Sequence, residues 1–205
     1  QRTQKTLKIL TEEYGEHKEA LEFVDVAAER FGIGQQKATR GVADLFGRLR
    51  PMGITLEQIQ DTFLGLNNAA LKMNLSTADT EGAMLQLSQA LGSGVLQGDE
   101  FRSIMERLPA IGQAVADVME VNVSELKQLS SDGELTTEVI IKAMQKLKQM
   151  DVPPPDSFKL YNKAMENFST AVGTKLLPAF TPFVNFLTRI LEKFSTLSPR
   201  MQTII

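Results

Sequence analysis

"LGSGVLQGDEFRSIMERLPAIGQAVADVMEVNVSELKQL", residues 91–129, decides how the rest of the chain is read. Its glycines suggest a phosphate cradle, and its second half suggests a DNA-reading helix pair. The glycines fail the first test. Gly92, Gly94 and Gly98 are spaced GxGxxxG rather than GxGxxG, no Gly-Lys-Ser/Thr follows, and no strand-like run precedes them. Gly92 and Gly94 instead read as structural turns at a helix C-terminus, where the backbone goes left-handed. Pro109 fits the first turn of the next helix, because its missing N–H is unpaired there in any residue. Ser124 reads as the N-cap of a short helix ending at Leu129. Gly133, in Ser131-Asp132-Gly133, is a third structural turn.

Helical spacing continues on both sides. Leu7, Leu10, Tyr14, His17, Leu21, Val24, Ala28 and Phe31 fall on one three-four stripe, which predicts a single long first helix ending near Gly32. A second helix is expected over about 35–46, with Arg40, Arg48 and Arg50 toward the end where cations suit the helix dipole. Thr55 and Gln58 form a capping-box pair and predict a helix over 56–73. Further helices are expected from Ser76 or Thr77 to the Gly-Ser-Gly, over 99–108, over 110–119 and from Thr136 or Thr137 to about 150. Val152-Pro153-Pro154-Pro155 cannot be helical and marks a boundary. Beyond it, Phe158, Tyr161, Met165, Phe168 and Val172 keep the helical spacing. So do Phe183, Leu187, Ile190, Phe194 and Leu197, which follow Pro178 and Pro182; two helices in series, kinked at the prolines, are expected. The second row is the candidate seam for oligomerisation or partner binding, the alternative being packing on the preceding domain. A short echo sets residues 96–108 against 135–147, too brief to define a repeat.

The fold class is therefore all-α: a compact helical domain of short to medium helices, then Pro-interrupted, coiled-coil-like amphipathic helices. Residues 1–50 lead into the domain, 51–150 form it, and 151–205 carry the chain onward. A chain of 205 residues is long enough to bury a sizeable core. It has no cysteine, which removes disulfides, thiol nucleophiles and Cys-based metal sites. His17, the only histidine, lies on an apolar stripe without metal-ligand neighbours, as a packed structural histidine does. Adjacent acids such as Glu12-Glu13 do not converge on one substrate. No nucleophile motif surrounds the serines and threonines, so no enzyme, cofactor or metal is expected. No apolar run is long enough to span a membrane. The abrupt apolar end and the non-Met start suggest a fragment of a longer polypeptide.

The charge is unevenly placed although the net formal value is only −3. Residues 79–138 hold eleven acids against Arg102, Arg107 and Lys127. That distribution weighs against the DNA reading of "QAVADVMEVNVSELKQLSSDGE". Phosphate contacts need Lys and Arg, and the second helix offers neither Arg nor Asn to base edges. Sequence-specific nucleic-acid binding is not expected, although a helix-turn-helix-like DNA-binding protein or other helical interaction protein remains the alternative reading.

Taken whole, "QLSQALGSGVLQGDEFRSIMERLPAIGQAVADVMEVNVSELKQLSSDGELTTEVIIKAM", residues 86–144, closely resembles the conserved domain of tailed-bacteriophage tape measure proteins. In that family a Gln-rich helix, a glycine turn, a Glu-containing helix ending in Pro, an "lA…lGvs…eL" helix pair and a "G.lt" turn follow one another. Met119-Glu120-Val121 departs from the family's Leu-Gly-Val. The flanks "ALEFVDVAAERFGIGQQKATRGVADL" and "IQDTFLGLNNAALKMNLSTADTEG" resemble the upstream helices, and "NFSTAVGTKLLPAFTPFVNFLTRILEKFSTLSP" the downstream segment. The resemblance implies a long helical ruler that sets tail length during assembly and assists genome ejection. It places the protein inside the tail tube or at the tail tip of the virion, and in the host cytoplasm during assembly. The implied partners are copies of itself in a homo-oligomer, a trimer among the options, together with the tail tube protein, tail tip or baseplate proteins and tail assembly chaperones.

Overall fold

The computed structural model describes residues 2–195. It is all-α: α1 Arg2–Glu12, α2 His17–Phe31, α3 Gln35–Leu49, α4 Leu56–Lys72, α5 Thr77–Gly92, α6 Gly98–Arg107, α7 Pro109–Met119, α8 Leu126–Ser131, α9 Thr137–Lys148, α10 Ser157–Ala171 and α11 Leu177–Ser195. Short 3-10 turns occupy Arg50–Met52 and Val123–Glu125, and a π-turn occupies Val172–Leu176. The chain forms two units, one ending at Lys163 and the other beginning at Ala164.

Local signals set most of the boundaries. Thr55 accepts from the Gln58 N–H while Gln58 Oε1 accepts from the Thr55 N–H, closing the capping box that starts α4. Ser76 caps α5 and Thr136 caps α9 through their hydroxyls. The expected single first helix is in fact two. Gly15 sits at φ +71°, and the N–H groups of Tyr14 and Glu16 both turn back to the Thr11 carbonyl. The apolar spacing runs unbroken across this corner, so the stripe hides it. Arg50 holds the corner in place with two hydrogen bonds to Glu16, at 3.0 and 3.1 Å, and its guanidinium lies 4.5 Å from the Tyr14 ring centre. Half-buried His17 receives or donates a 2.9 Å hydrogen bond with the Thr11 hydroxyl, a packed structural histidine as its place on the stripe suggested.

In the first unit α4 is the central helix, packed against α2, α3, α5, α7 and α9. A helix contacted on several sides must bury most of its circumference, and Ile59, Phe63, Leu66 and Ala69 do so together with the polar Asp61, Asn67 and Asn68. Phe63 meets Phe23 edge-on at 5.7 Å and Phe31 at 6.4 Å. Leu7, Phe46, Leu87, Ile111, Leu126 and Met144 belong to the same core, which therefore draws on residues before and after position 50 alike. The Asn68 amide donates to the Leu147 and Lys148 carbonyls at 3.1 and 2.9 Å, which ties the end of α9 to the middle of α4. Asn67 donates to the Phe63 carbonyl at 2.8 Å, so its buried amide is also satisfied.

The second unit is helical throughout its described length. The π-turn, rather than either proline, is where the regular α-helical pattern changes between α10 and α11. Pro178 is the second residue of α11, directly after the π-turn, and has no N–H to give to the carbonyls of that turn. Pro182 lies inside the helix, which runs on to Ser195.

Candidate functional site

The glycine stretch is a joint between two parts of the first unit. Gly94, at φ +91°, turns the chain after α5 so that Val95 forms an antiparallel bridge with Thr136. Leu96 N–H donates to the Leu135 carbonyl at 2.8 Å and Thr137 N–H to the Gly94 carbonyl at 3.0 Å. Ser130 Oγ reaches the Leu96 carbonyl at 3.0 Å, and Thr137 Oγ1 reaches the Leu91 carbonyl at 2.8 Å. These polar groups serve the fold rather than a phosphate. Gly92 is the last residue of α5, under the stem of Arg48, and Gly133, at φ +76°, turns the chain beside the Gln97 amide. Leu96 and Leu135, the first residues of the two echoing segments, are joined by one of the two hydrogen bonds beside this bridge.

Pro109 opens α7 at its first turn. The helix pair that follows differs from the expected one in its cap. Asn122, not Ser124, caps the 3-10 turn that leads into α8, and Glu125 Oε1 accepts from the Asn122 N–H at 3.0 Å. Both residue types cap helices, and Glu125 stands three positions after Asn122, the spacing of a capping box. Leu126 and Ser130 face inward while Lys127 is exposed. Hydrogen bonds from Lys146 and Gln113 lower the pKa of Asp117, and those from Asn122 lower that of Glu125. A helix of six residues on an anionic surface is a poor match to duplex DNA.

Glu120 adopts φ +58° and ψ +39° at the end of α7. A side chain in this left-handed region costs roughly 1 kcal/mol relative to glycine. Glu120→Gly is therefore expected to raise the unfolding free energy by about 1 kcal/mol in guanidinium titration. An unchanged or lowered value would show that the Glu120 side chain contributes more than its backbone strain removes.

The candidate seam lies in the second unit. Phe183, Leu187 and Ile190 are all exposed on α11. The Phe194 side chain and Leu197 lie outside the described residues. Periodicity reading missed Phe180, Val184 and Phe186, which are exposed on the same helix and widen the apolar face. Their signal was present as the row of apolar residues flanking the seam. Sequence reasoning also missed a cavity of about 400 Å3 between α3, α4 and α5, floored by Phe63 and Met84. Lys37 Nζ and Glu81 Oε1 pair at 2.9 Å at its edge. Among the described residues, no group of three or more His, Cys, Asp or Glu side chains is placed to hold a metal ion, and no helix is long and apolar enough to cross a membrane.

A buried helical module joined in sequence to helices with an exposed apolar face has the build of a helical assembly protein. The family model described as Tape measure protein matches residues 1–189, and the chain belongs to that family. It is accordingly a structural component of a phage tail, of a family that is structural rather than enzymatic. Neither a curated protein nor a solved structure matches it.

Proposed function

We propose that the chain is part of the ruler that sets tail length during assembly and later assists passage of the genome. The observation that carries this reading is the family match over residues 1–189. A helix converts residue number into distance at about 1.5 Å per residue, so a helical chain lying along a growing tube defines a length. In this reading the first unit is a folded station on the ruler, lying inside the tail tube or at the tail tip. The helices after the proline segment lead toward the rest of the ruler. Copies of the same chain, the tube protein, tip or baseplate proteins and assembly chaperones are the partners proposed.

The test is an in-frame deletion series in helical sequence of the parent reading frame, outside residues 1–205, with tails measured by electron microscopy. Tails are expected to shorten by roughly 1.5 Å for each residue removed. Tails of unchanged length would overturn the ruler reading.

A further inference from the structure

The cavity of about 400 Å3 between α3, α4 and α5 is on the scale of a small-molecule site. Its floor is apolar. Phe63 and Met84 are buried there, and Ile33 and Leu85 add to the lining. Two of the wall positions are glycines inside helices, Gly41 on α3 and Gly82 on α5. Glycine weakens a helix interior, so its presence calls for a reason of space. A Cβ on Gly41 would press on the Phe63 ring at 2.9 Å, and one on Gly82 would stand 3.3 Å from Arg107 Nη1.

The polar groups around this floor carry both signs. Lys37 and Arg40 line the cavity from α3 and Glu81 from α5, with Lys37 Nζ 2.9 Å from Glu81 Oε1. That oxygen is shielded from water, yet it accepts no hydrogen bond among the described residues. A buried acceptor in this state favours a donor brought from outside. Asp44 is also on the wall; burial raises its carboxyl pKa, and Arg48 and Arg40 on its own helix act against that rise. Glu81 is therefore the acid that most lacks a donor. The first turn of α5 supplies the converse. Thr77 and Ala78 line the cavity, and the N–H groups of first-turn residues have no acceptor within their own helix. With Lys37 and Arg40 they favour an anionic group.

We propose that this cavity binds a free α-amino acid with a large apolar side chain. Such a molecule carries an ammonium and a carboxylate on one carbon, as the opposite charges of Lys37 and Glu81 lie side by side here. The ammonium donates to Glu81 Oε1, the carboxylate accepts from the α3 cations and the first turn of α5, and the side chain covers Phe63 and Met84. A ligand of one sign would leave half of this rim unmatched in a site that partly excludes water. A partner helix laid across the mouth fits less well. It would need an apolar strip several turns long, and among the described residues Leu85 is the one exposed large hydrophobic of α3 and α5. Occupancy would join α3, α4 and α5 around one ligand and stabilise the first unit by mass action. The proposal does not depend on the ruler role.

The test is methyl NMR on the full 205-residue chain labelled at its methionines, with L-phenylalanine as the probe. The Met84 methyl signal is expected to shift and saturate with a Kd on the order of 1 mM or below, while those of exposed Met52 and Met73 stay in place. Hydrocinnamate lacks the ammonium and phenethylamine lacks the carboxylate. Each should bind at least about tenfold more weakly. Glu81→Gln should weaken phenylalanine binding about tenfold and leave hydrocinnamate unchanged. Arg40→Gln, at an exposed position, should weaken both and spare phenethylamine. Circular dichroism checks that each variant is folded. A Met84 signal that stays still at about ten times the expected constant overturns the proposal. So does equal binding of either single-charge analogue, or a shift shared by Met52 and Met73.

Discussion

Gly65→Ala is expected to lower the stability of the first unit by about 3 kcal/mol, the largest effect of any single methyl group added to it. At Gly65 the central helix α4 meets α9 so closely that a Cβ would lie 2.3 Å from the Met144 carbonyl oxygen and 2.9 Å from its Cα. These are backbone atoms in the interior of a helix, so no rotamer change relieves the clash; one helix has to move off the other. Met144, Ile140 and Leu147 are all buried beside that contact, and separating the helices opens voids along the whole row. The gain of roughly 1 kcal/mol in helix propensity from Gly to Ala works in the opposite direction and is outweighed. Gly47 serves as the control. Its Cβ would meet only the methyl groups of Leu10, at 3.3 and 3.7 Å, a side chain that can shift, so Gly47→Ala is expected to keep part of the propensity gain and raise stability by up to about 1 kcal/mol. Guanidinium titration of the three proteins measures both differences. Equal stability of Gly65→Ala and the parent would show that the approach of α4 to α9 is looser than 2.3 Å implies.

The second large effect is expected at Asn68. Its amide holds the last carbonyls of α9, and its Oδ1 accepts from Arg30 Nη2 at 3.2 Å, so one buried side chain joins α2, α4 and α9. Asn68→Ala removes the donor and leaves the Leu147 carbonyl without it, at a cost of about 2 kcal/mol. Asn68→Asp should be worse, because a carboxylate would face carbonyl oxygens where the amide had donated. Native-state hydrogen exchange gives a local reading, with amides of the last turn of α9 losing more protection than those of α5. Uniform loss across both helices would mean that Asn68 supports the whole unit rather than this junction.

Neither residue was singled out by the sequence. "GLNNAALK" reads as ordinary helix, and nothing periodic links Asn68 to carbonyls about eighty positions away. Cap residues behaved differently, because the chemistry they report is local. Thr55 with Gln58, Ser76, Pro109 and Thr136 each satisfy or omit a backbone group within one turn, so their positions can be read without knowing the rest of the fold. The corner at Gly15 was hidden for the converse reason. Residues on both sides keep one apolar row, and the break is held from outside, by Arg50 on Glu16 and Tyr14. In the second unit the row Phe183, Leu187 and Ile190 was legible from its spacing. The π-turn between the two rows was not, because spacing alone does not specify it.

The bridge between Val95 and Thr136 also affects how this chain can vary. Residues 96–135, which hold α6, α7 and α8, pack on the body of the first unit through α5, α9 and α4, and the two ends of the segment are pinned together by the two backbone bonds and by Thr137. Such an excursion is closed at its base. Doubling its length adds only about 0.6 kcal/mol of closure entropy, and residues added at its exposed corner leave the packed faces of α6 and α7 where they are. Insertions, an affinity tag or a fluorescent reporter should be tolerated at its exposed outer corner near Val123 better than in any helix of the body.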